Sequence, residues 1–151
     1  MIEVRNVYKS FNGKEVLKDI SFTFEAGKTN LIIGQSGSGK TVLMKSVIGI
    51  HQVDKGQILY NGRDFTKMSN KETALLRQEI GMLFQGSALF DSMTVEENVR
   101  FPLEMFSNKT RKEWEKRVAF CLDRVGLSHA ANLFPSEISG GMQKRAAIAR
   151  A

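Results

Sequence analysis

The sequence predicts an α/β fold whose first part is an antiparallel β-sheet. Residues 2–7 and 16–24 alternate polar side chains with β-branched or aromatic ones, and the turn signal "NGK" lies between them. The stretch "GQILYNGRDF", residues 56–65, contains a second turn signal, Asn61-Gly62, and is typical of a hairpin. Strand-like segments followed by strand–loop–helix units are typical of the α/β class.

Two short apolar runs predict buried strands. The first, "TNLIIG" at residues 29–34, ends in glycine, and "KTVLMKSVIGI" after it has the pattern of a helix. The second run is "IGMLF", residues 80–84. Apolar runs of this length without alternation indicate strands that are covered on both faces.

Start and stop signals predict three further helical segments. Ser69 with Glu72, and Thr94 with Glu97, have the spacing of a capping box, and the first pair predicts a short helix that continues through Arg77. A helix from Thr110 would be ended by Gly126. Its apolar face would consist of Trp114, Val118, Cys121, Leu122 and Val125.

The composition is that of one soluble globular domain. The chain has 151 residues, of which 42% are hydrophobic and 25% are charged. The formal net charge of +6 favours anionic partners, but the basic residues are scattered and form no nucleic-acid-binding tail. A single cysteine, Cys121, excludes a disulfide framework. The first residues have no apolar stretch of the signal-peptide kind, so we expect a cytoplasmic chain.

The strongest chemical signal is "GQSGSGKT", residues 34–41, which fits the phosphate-binding pattern G-x-x-x-x-G-K-[ST]. Gly34, Gly37 and Gly39 would let backbone N–H groups point inward at phosphates without obstruction by side chains. Lys40 is expected to reach the β- and γ-phosphates, and the Thr41 hydroxyl suits Mg²⁺. A glycine-rich turn with an incidental lysine is disfavoured, because an apolar run precedes the loop and a helix follows it.

A second glycine motif discriminates among proteins with phosphate loops. "ISGGMQ", residues 138–143, opens a basic helix, Gln85 follows the run "IGMLF", and Phe11 lies in "KSFNG". With these residues the whole sequence resembles the ATP-binding subunits of ABC transporters, whose signature motif is usually written LSGGQ. Here Ile138 replaces the leucine, and Met142 precedes Gln143.

The resemblance implies a P-loop NTPase fold, the ABC nucleotide-binding domain. It would combine the N-terminal antiparallel β piece, an incomplete RecA-like parallel core and a helical signature region. The β piece and the parallel core would occupy about residues 1–86, and the helical signature subdomain would occupy about residues 87–151. In the family, the strands at residues 31–33 and 80–84 share one parallel sheet but are separated by strands from the C-terminal half.

The resemblance also implies the ligands ATP and Mg²⁺ and a role for each matching residue. Lys40 and Gln85 would be catalytic, and Thr41 and Gln85 would bind the metal ion. The aromatic ring of Phe11 would stack on adenine. The signature would act on nucleotide held by a partner's phosphate loop, so that a head-to-tail homodimer encloses two ATP molecules. The full set of expected nucleotide-binding residues is Phe11, Gly34, Ser36, Gly37, Ser38, Gly39, Lys40, Thr41, Ser139, Gly140, Gly141 and Gln143.

Family motifs that normally follow the signature are not matched. These are the Walker B aspartate, the catalytic glutamate, the D-loop and the switch histidine, and neither His51 nor His129 matches the last of them. We therefore expect the sequence to be the N-terminal part of a longer ABC-type ATPase, and the 151 residues alone to be inactive.

The stretch "QGSALFDSMTVEENVRFPL", residues 85–103, resembles the phospholipid-transport ATPases of the mammalian-cell-entry type, which maintain outer-membrane lipid asymmetry. This resemblance implies a permease, a lipid-carrier protein, no nucleic acid, and a location on the inner face of the inner membrane. Permease contacts would come from Phe90, Met93, Phe101 and Met105, although each of these residues could instead lie in the core.

Three other interpretations are open at this point. A DNA-repair ATPase of the SMC or Rad50 type would carry long heptad repeats between the two motifs, and this interval has none. A soluble translation-type ABC protein would carry two cassettes, and residues 85–103 argue against it. A nucleotide-binding module without catalysis is the third interpretation.

Overall fold

The computed structural model describes residues 1–151. The chain divides into two compact units, Met1–Ile80 and Gly81–Ala151. No helix in either unit is both long and apolar enough to cross a lipid bilayer.

The first unit is built on an antiparallel sheet of four strands in the order β2-β1-β3-β4. These strands are β1 (Ile2–Phe11), β2 (Lys14–Phe24), β3 (Lys55–Tyr60) and β4 (Arg63–Asp64). The two predicted turns are confirmed. In the first turn, Asn12 and Gly13 have φ of 50° and 77°, and in the second, Asn61 and Gly62 have φ of 48° and 80°. A two-residue type I′ hairpin needs two consecutive left-handed residues of this kind.

Two helices pack on this sheet, α1 (Lys40–Val47) and α2 (Asn70–Arg77), with a 3₁₀ turn at Phe65–Lys67. The Tyr60 hydroxyl donates a 2.7 Å hydrogen bond to the carbonyl of Val47 and so joins β3 to the end of α1. Burial raises the pKa of Tyr60 to about 12, so its hydroxyl remains a hydrogen-bond donor even well above neutral pH. The buried core consists of Val4, Val7, Leu17, Leu43, Val47, Ile58, Tyr60, Phe65 and Leu76.

The two apolar runs are not strands in this chain, and the prediction that they are buried is wrong here. The sheet includes neither run, and Leu31 and Ile33 are 83% and 81% exposed. Leu83 is also exposed, whereas Ile32 and Ile80 pack against the core of the first unit. A strand needs a neighbour that takes up its backbone hydrogen bonds, and no strand of residues 1–151 lies beside either run.

The second unit contains three packed helices, α3 (Val95–Phe106), α4 (Arg111–Arg124) and α5 (Gly140–Arg150). Two 3₁₀ turns, Ser128–Ala130 and Pro135–Glu137, lie between α4 and α5. The N–H groups of Val95 and Glu96 donate to carbonyls at Leu133 and Ala131, so this connection caps α3. The buried core consists of Val95, Val99, Val118, Leu122, Leu127, Ala130, Ile138 and Ala146.

The helix boundaries follow their predicted signals. Ser69 with Glu72 and Thr94 with Glu97 form reciprocal capping boxes at the starts of α2 and α3. Gly126 ends α4 with φ of 66°, while its N–H donates to Asp123 and the N–H of Leu127 donates to Leu122. These two bonds form a Schellman motif, which satisfies carbonyls at the helix C-terminus. Of the predicted apolar face of α4, Val118 and Leu122 are buried, and the other three residues are half-buried.

Candidate nucleotide-binding site

The loop of residues 34–39 leads directly into α1 in the first unit. Gly37 and Gly39 have φ of 78° and 92°, which side-chain-bearing residues rarely adopt. A Cβ atom on Gly39 would also lie 3.1 Å from the carbonyl oxygen of Val16 and 3.2 Å from Leu17. Glycine is therefore required at Gly39 both by its conformation and by the close approach of β2.

The N-terminus of α1 is open to an anion. Gly39 occupies the N-cap position, no side chain caps the helix, and its first turn contains no acidic residue. In contrast, α2, α3 and α4 each carry a glutamate at the third position that accepts a hydrogen bond from the N-cap backbone. The free N–H groups and the positive end of the helix dipole leave α1 suited to phosphate.

Lys40 and Thr41 begin this helix. The Lys40 ammonium donates to the carbonyls of Gly34 and Gln35, both at 2.7 Å, so it lies over the loop. A phosphate entering the loop would compete with these two carbonyls for the ammonium. Ser36, Ser38 and the hydroxyl-bearing Thr41 are exposed.

Phe11, the predicted adenine-stacking residue, lies at the end of β1 and is 39% exposed. The ring of His51 packs against it edge-on with the centroids 5.2 Å apart. The Lys9 ammonium lies 5.3 Å from its centroid. An exposed aromatic ring held in this way can stack on a planar base.

The signature residues open α5 in the second unit. The Ser139 hydroxyl accepts a 3.3 Å hydrogen bond from the N–H of Met142, and the first turn contains no acidic residue. Gly140 and Gly141 are exposed, have no left-handed φ, and would meet no atom closer than 4.0 Å with an added Cβ. Neither packing nor backbone conformation within the chain therefore calls for glycine here, although glycine can cost a helix about 1 kcal/mol relative to alanine. Close approach of an external group to the backbone is a reason for both glycines.

Gln143 is less available than its neighbours. Its side-chain amide donates a 2.8 Å hydrogen bond to the carbonyl of Pro135 and is partly buried. Its expected contact with nucleotide stays a prediction, for which the second N–H of the amide and its carbonyl oxygen remain available.

Gln85 begins a turn with an unusual backbone. The side chain of Gln85 is exposed, and the next three residues, Gly86, Ser87 and Ala88, have φ of 85°, 68° and 49°. Three consecutive left-handed residues, two of them non-glycine, are uncommon and need support from their surroundings.

Two residues that the sequence analysis did not single out support this region. Arg150 donates to the carbonyls of Ala88 at 2.6 Å and Ser87 at 3.1 Å. Asn98 is fully buried and hydrogen bonds to the backbone of Phe90, Met93 and Thr94. An asparagine on the apolar face of a predicted helix is a signal that could have identified Asn98, whereas the pairing of Arg150 has no local signal.

The expected permease contacts divide between exposed and half-buried positions. Phe90 and Met105 are 42% and 58% exposed, and Met93 and Phe101 are half-buried. The rings of Phe90 and Phe101 pack together with centroids 4.9 Å apart.

The residues expected to bind Mg²⁺ suit that ion chemically. Thr41 and Gln85 offer a hydroxyl and an amide oxygen, both on exposed residues. Mg²⁺ prefers oxygen ligands and usually keeps waters and nucleotide phosphates among them, so few protein ligands suffice. Each residue taken by itself offers a suitable oxygen, and binding of one ion by both stays a prediction, because Thr41 belongs to the first unit and Gln85 to the second.

The family is decided by comparison with known sequences. The family model described as "ABC transporter" matches residues 17–151. The chain belongs to the ABC transporter family. Within that family it corresponds to the ATP-binding domain, as its resemblance implied.

Two relatives illustrate this similarity. The chain is 41% identical over 150 residues to the "Probable ribonucleotide transport ATP-binding protein mkl" of Mycobacterium leprae, covering 99% of this chain and 43% of that protein. It is 42% identical over 155 residues to "Methionine import ATP-binding protein MetN 1" of Staphylococcus aureus, covering 100% of this chain and 45% of that protein. The chain thus spans less than half the length of either relative.

Solved structures confirm the predicted fold class, an ABC-type P-loop NTPase. The dimeric bacterial ABC transporter cassette MJ0796 is similar with a TM-score of 0.90 and 30% identity, covering 99% of this chain and 68% of that one. The cbiO1 protein of Clostridium perfringens, part of the transporter complex cbiONQ, has a TM-score of 0.87 and 30% identity, covering 99% and 59%.

Proposed function

We propose that this chain binds ATP as part of an ABC transporter ATPase and that hydrolysis of the bound ATP drives transport. One observation carries the proposal: the two glycine motifs each open a helix whose first turn holds no acidic residue, while the other three α-helices begin with a capping glutamate. Helix N-termini without a carboxylate are suited to phosphate oxygens.

Each predicted residue has a role in this proposal. The loop of residues 34–39 and α1 bind the phosphates, and Lys40 neutralises charge on the phosphoryl group that is transferred. Phe11 stacks on adenine. Thr41 and Gln85 hold Mg²⁺, which, when bound, neutralises charge on the phosphate oxygens.

We propose that Ser139, Gly140 and Gly141 act on nucleotide held by a second copy of the chain. The cassette MJ0796 is described as dimeric, including in a post-hydrolysis state bound to ADP and Pi, which supports a homodimer for this chain. The assignment of cbiO1 to a transporter complex supports permease partners. We place the protein at the inner face of the inner membrane and propose no nucleic-acid partner.

The proposed substrate is phospholipid, with a lipid-carrier protein as a further partner. This part rests on the resemblance of residues 85–103 to ATPases of the mammalian-cell-entry type. The relatives named for ribonucleotide and methionine transport suggest two other substrates, and their identities of 41% and 42% are too close to rank them. ATPase activity of the transporter complex, measured with phospholipid vesicles, methionine or ribonucleotides, discriminates among the three. Stimulation by methionine or ribonucleotide alone would contradict the lipid assignment.

The variant Lys40→Ala tests the ATPase assignment. It removes the cation at the phosphate loop, so hydrolysis in the transporter complex should be abolished. Lys71→Ala is the matched control, because Lys71 is exposed on α2 in the same unit and makes no ion pair. ATP hydrolysis near the wild-type rate in Lys40→Ala would refute the proposal.

A further inference from the structure

We infer that Arg150 is a positioning residue that holds the turn after Gln85 in the conformation needed for hydrolysis, and thereby links the signature helix to that turn. The inference rests on the proposed ATPase function. Arg150 is the last residue of α5, whose first residues carry the signature motif.

The contact is bidentate and joins distant parts of the chain. The Nη1 atom lies 2.6 Å from the carbonyl oxygen of Ala88, and the Nη2 atom lies 3.1 Å from that of Ser87. The planar guanidinium presents its N–H groups in a fixed fork, so two adjacent carbonyls define the position of the turn more tightly than one bond would.

Apart from those from Arg150, few hydrogen bonds support the strained backbone of this turn, although Ser87 is buried. Ser87 and Ala88 are both left-handed, with φ of 68° and 49°, and neither is glycine. Within the turn, the N–H of Ser87 donates to Phe84 at 3.3 Å and the N–H of Ala88 donates to Gly86 at 2.8 Å. Arg150 provides the only side-chain hydrogen bonds to Ser87 and Ala88 in the chain. We therefore expect that the turn relaxes when the guanidinium is removed.

The charge of Arg150 has no acidic partner. It forms none of the nine ion pairs in the chain, and burial lowers the pKa of its guanidinium. The two turn carbonyls are therefore its hydrogen-bond acceptors. A basic residue in the last turn of a helix often interacts with that helix's own C-terminus, but these acceptors belong to a different segment.

The helix between the two motifs is suited to transmit a displacement. It has 11 residues, and the distance along its axis from Gly140 to Arg150 is about 15 Å at 1.5 Å per residue. Ala146 and Ala147 are buried, and α5 packs on α3 and α4. A shift of the signature end on contact with phosphate would therefore move Arg150 and, through it, the turn that carries Gln85.

The main test separates positioning from binding. We expect Arg150→Ala to lower the kcat of ATP hydrolysis in the transporter complex on the order of tenfold, with the KM for ATP changed less than about twofold, because the phosphate loop is untouched. Amide hydrogen exchange at residues 86–90 should be faster in the variant. Arg150→Lys, which keeps the charge but loses the fork, should retain an intermediate kcat. Arg145→Ala is the matched control, because Arg145 is exposed on the same helix and makes no ion pair.

A second variant distinguishes loss of the turn's conformation from a general loss of packing around Arg150. Ala88→Gly removes the steric penalty of the left-handed conformation, so the double variant Arg150→Ala/Ala88→Gly should recover part of the lost kcat. A purely structural role for Arg150 predicts no such recovery. The inference is overturned if Arg150→Ala matches Arg145→Ala in both kcat and exchange, or if glycine at residue 88 restores nothing. A wild-type complex without ATPase activity would contradict the proposed function, while exchange at residues 86–90 would still test the Arg150 contact.

Discussion

Replacement of Asn98 by alanine is predicted to destabilise the second unit by about 3 kcal/mol. Asn98 is 0% exposed in α3, and its side chain holds the start of that helix and the preceding turn together. Its Oδ1 atom accepts from the N–H of Phe90 at 2.7 Å. Its Nδ2 group donates to the carbonyls of Phe90, Met93 and Thr94 at 3.0, 3.1 and 2.9 Å.

The magnitude follows from these contacts. The two hydrogens on Nδ2 are shared among three acceptors, so the side chain makes the equivalent of about three hydrogen bonds, each contributing about 1 kcal/mol net. Alanine also leaves the N–H of Phe90 without its acceptor, which adds to the loss. Leucine is no substitute, because it fills the space but satisfies none of these groups.

Urea denaturation of the wild-type and variant chains measures the loss. We expect the midpoint to fall while the m-value is unchanged, since the surface exposed on unfolding is nearly the same. Asn108→Ala is the matched control, because Asn108 is exposed beyond the end of α3 and should shift stability by less than about 0.5 kcal/mol. If Asn98→Ala were as stable as Asn108→Ala, the proposed anchoring of the turn by Asn98 would be refuted.

Four further predictions concern nucleotide, permease, pH and the chain alone. Gly141→Asp should leave ATP binding by the monomer intact but block dimer closure and hydrolysis, because its carboxylate would face a γ-phosphate; equal loss of monomer affinity in Gly141→Asp and Lys40→Ala would contradict the two-sided site. Met93→Cys should crosslink to a cytoplasmic loop of the permease, and crosslinks to nucleic acid or soluble proteins alone would exclude this docking. Hydrogen bonds from the Ser or Thr at each N-cap lower the pKa values of Glu72, Glu97 and Glu113 from 4.5, so their contribution to stability is present above pH 4.5 and is lost as the pH falls through the lowered values. Glu97→Gln should therefore weaken the decrease in the free energy of unfolding as the pH falls below 4.5. The same pH dependence in the variant and the wild type would contradict this. Residues 1–151 alone should bind ATP weakly and show no measurable ATP hydrolysis. In amide hydrogen exchange, the sheet of the first unit should be the best protected part of this chain. Strong protection at residues 31–33 and 80–84 in a monomer would contradict this, because it would show that the chain completes its own core.

The sequence by itself determined the features that depend on neighbouring residues. Both Asn-Gly turns, the capping boxes at Ser69 and Thr94, and the end of α4 at Gly126 lie where their local signals predicted. Each is set by a few consecutive residues whose conformational preferences and short-range hydrogen bonds hold in any surroundings. The phosphate-loop pattern is local in the same sense, so eight consecutive residues are enough to identify it.

The tertiary structure decided what depends on partners distant in sequence. The runs at residues 31–33 and 80–84 have the composition of buried strands, yet a strand exists only where another strand takes up its hydrogen bonds, and this chain places none beside them. The contact of Arg150 with Ser87 and Ala88 joins residues more than 60 positions apart. No pattern along the chain encodes such a pairing, because it forms only after α5 has packed against its neighbouring helices.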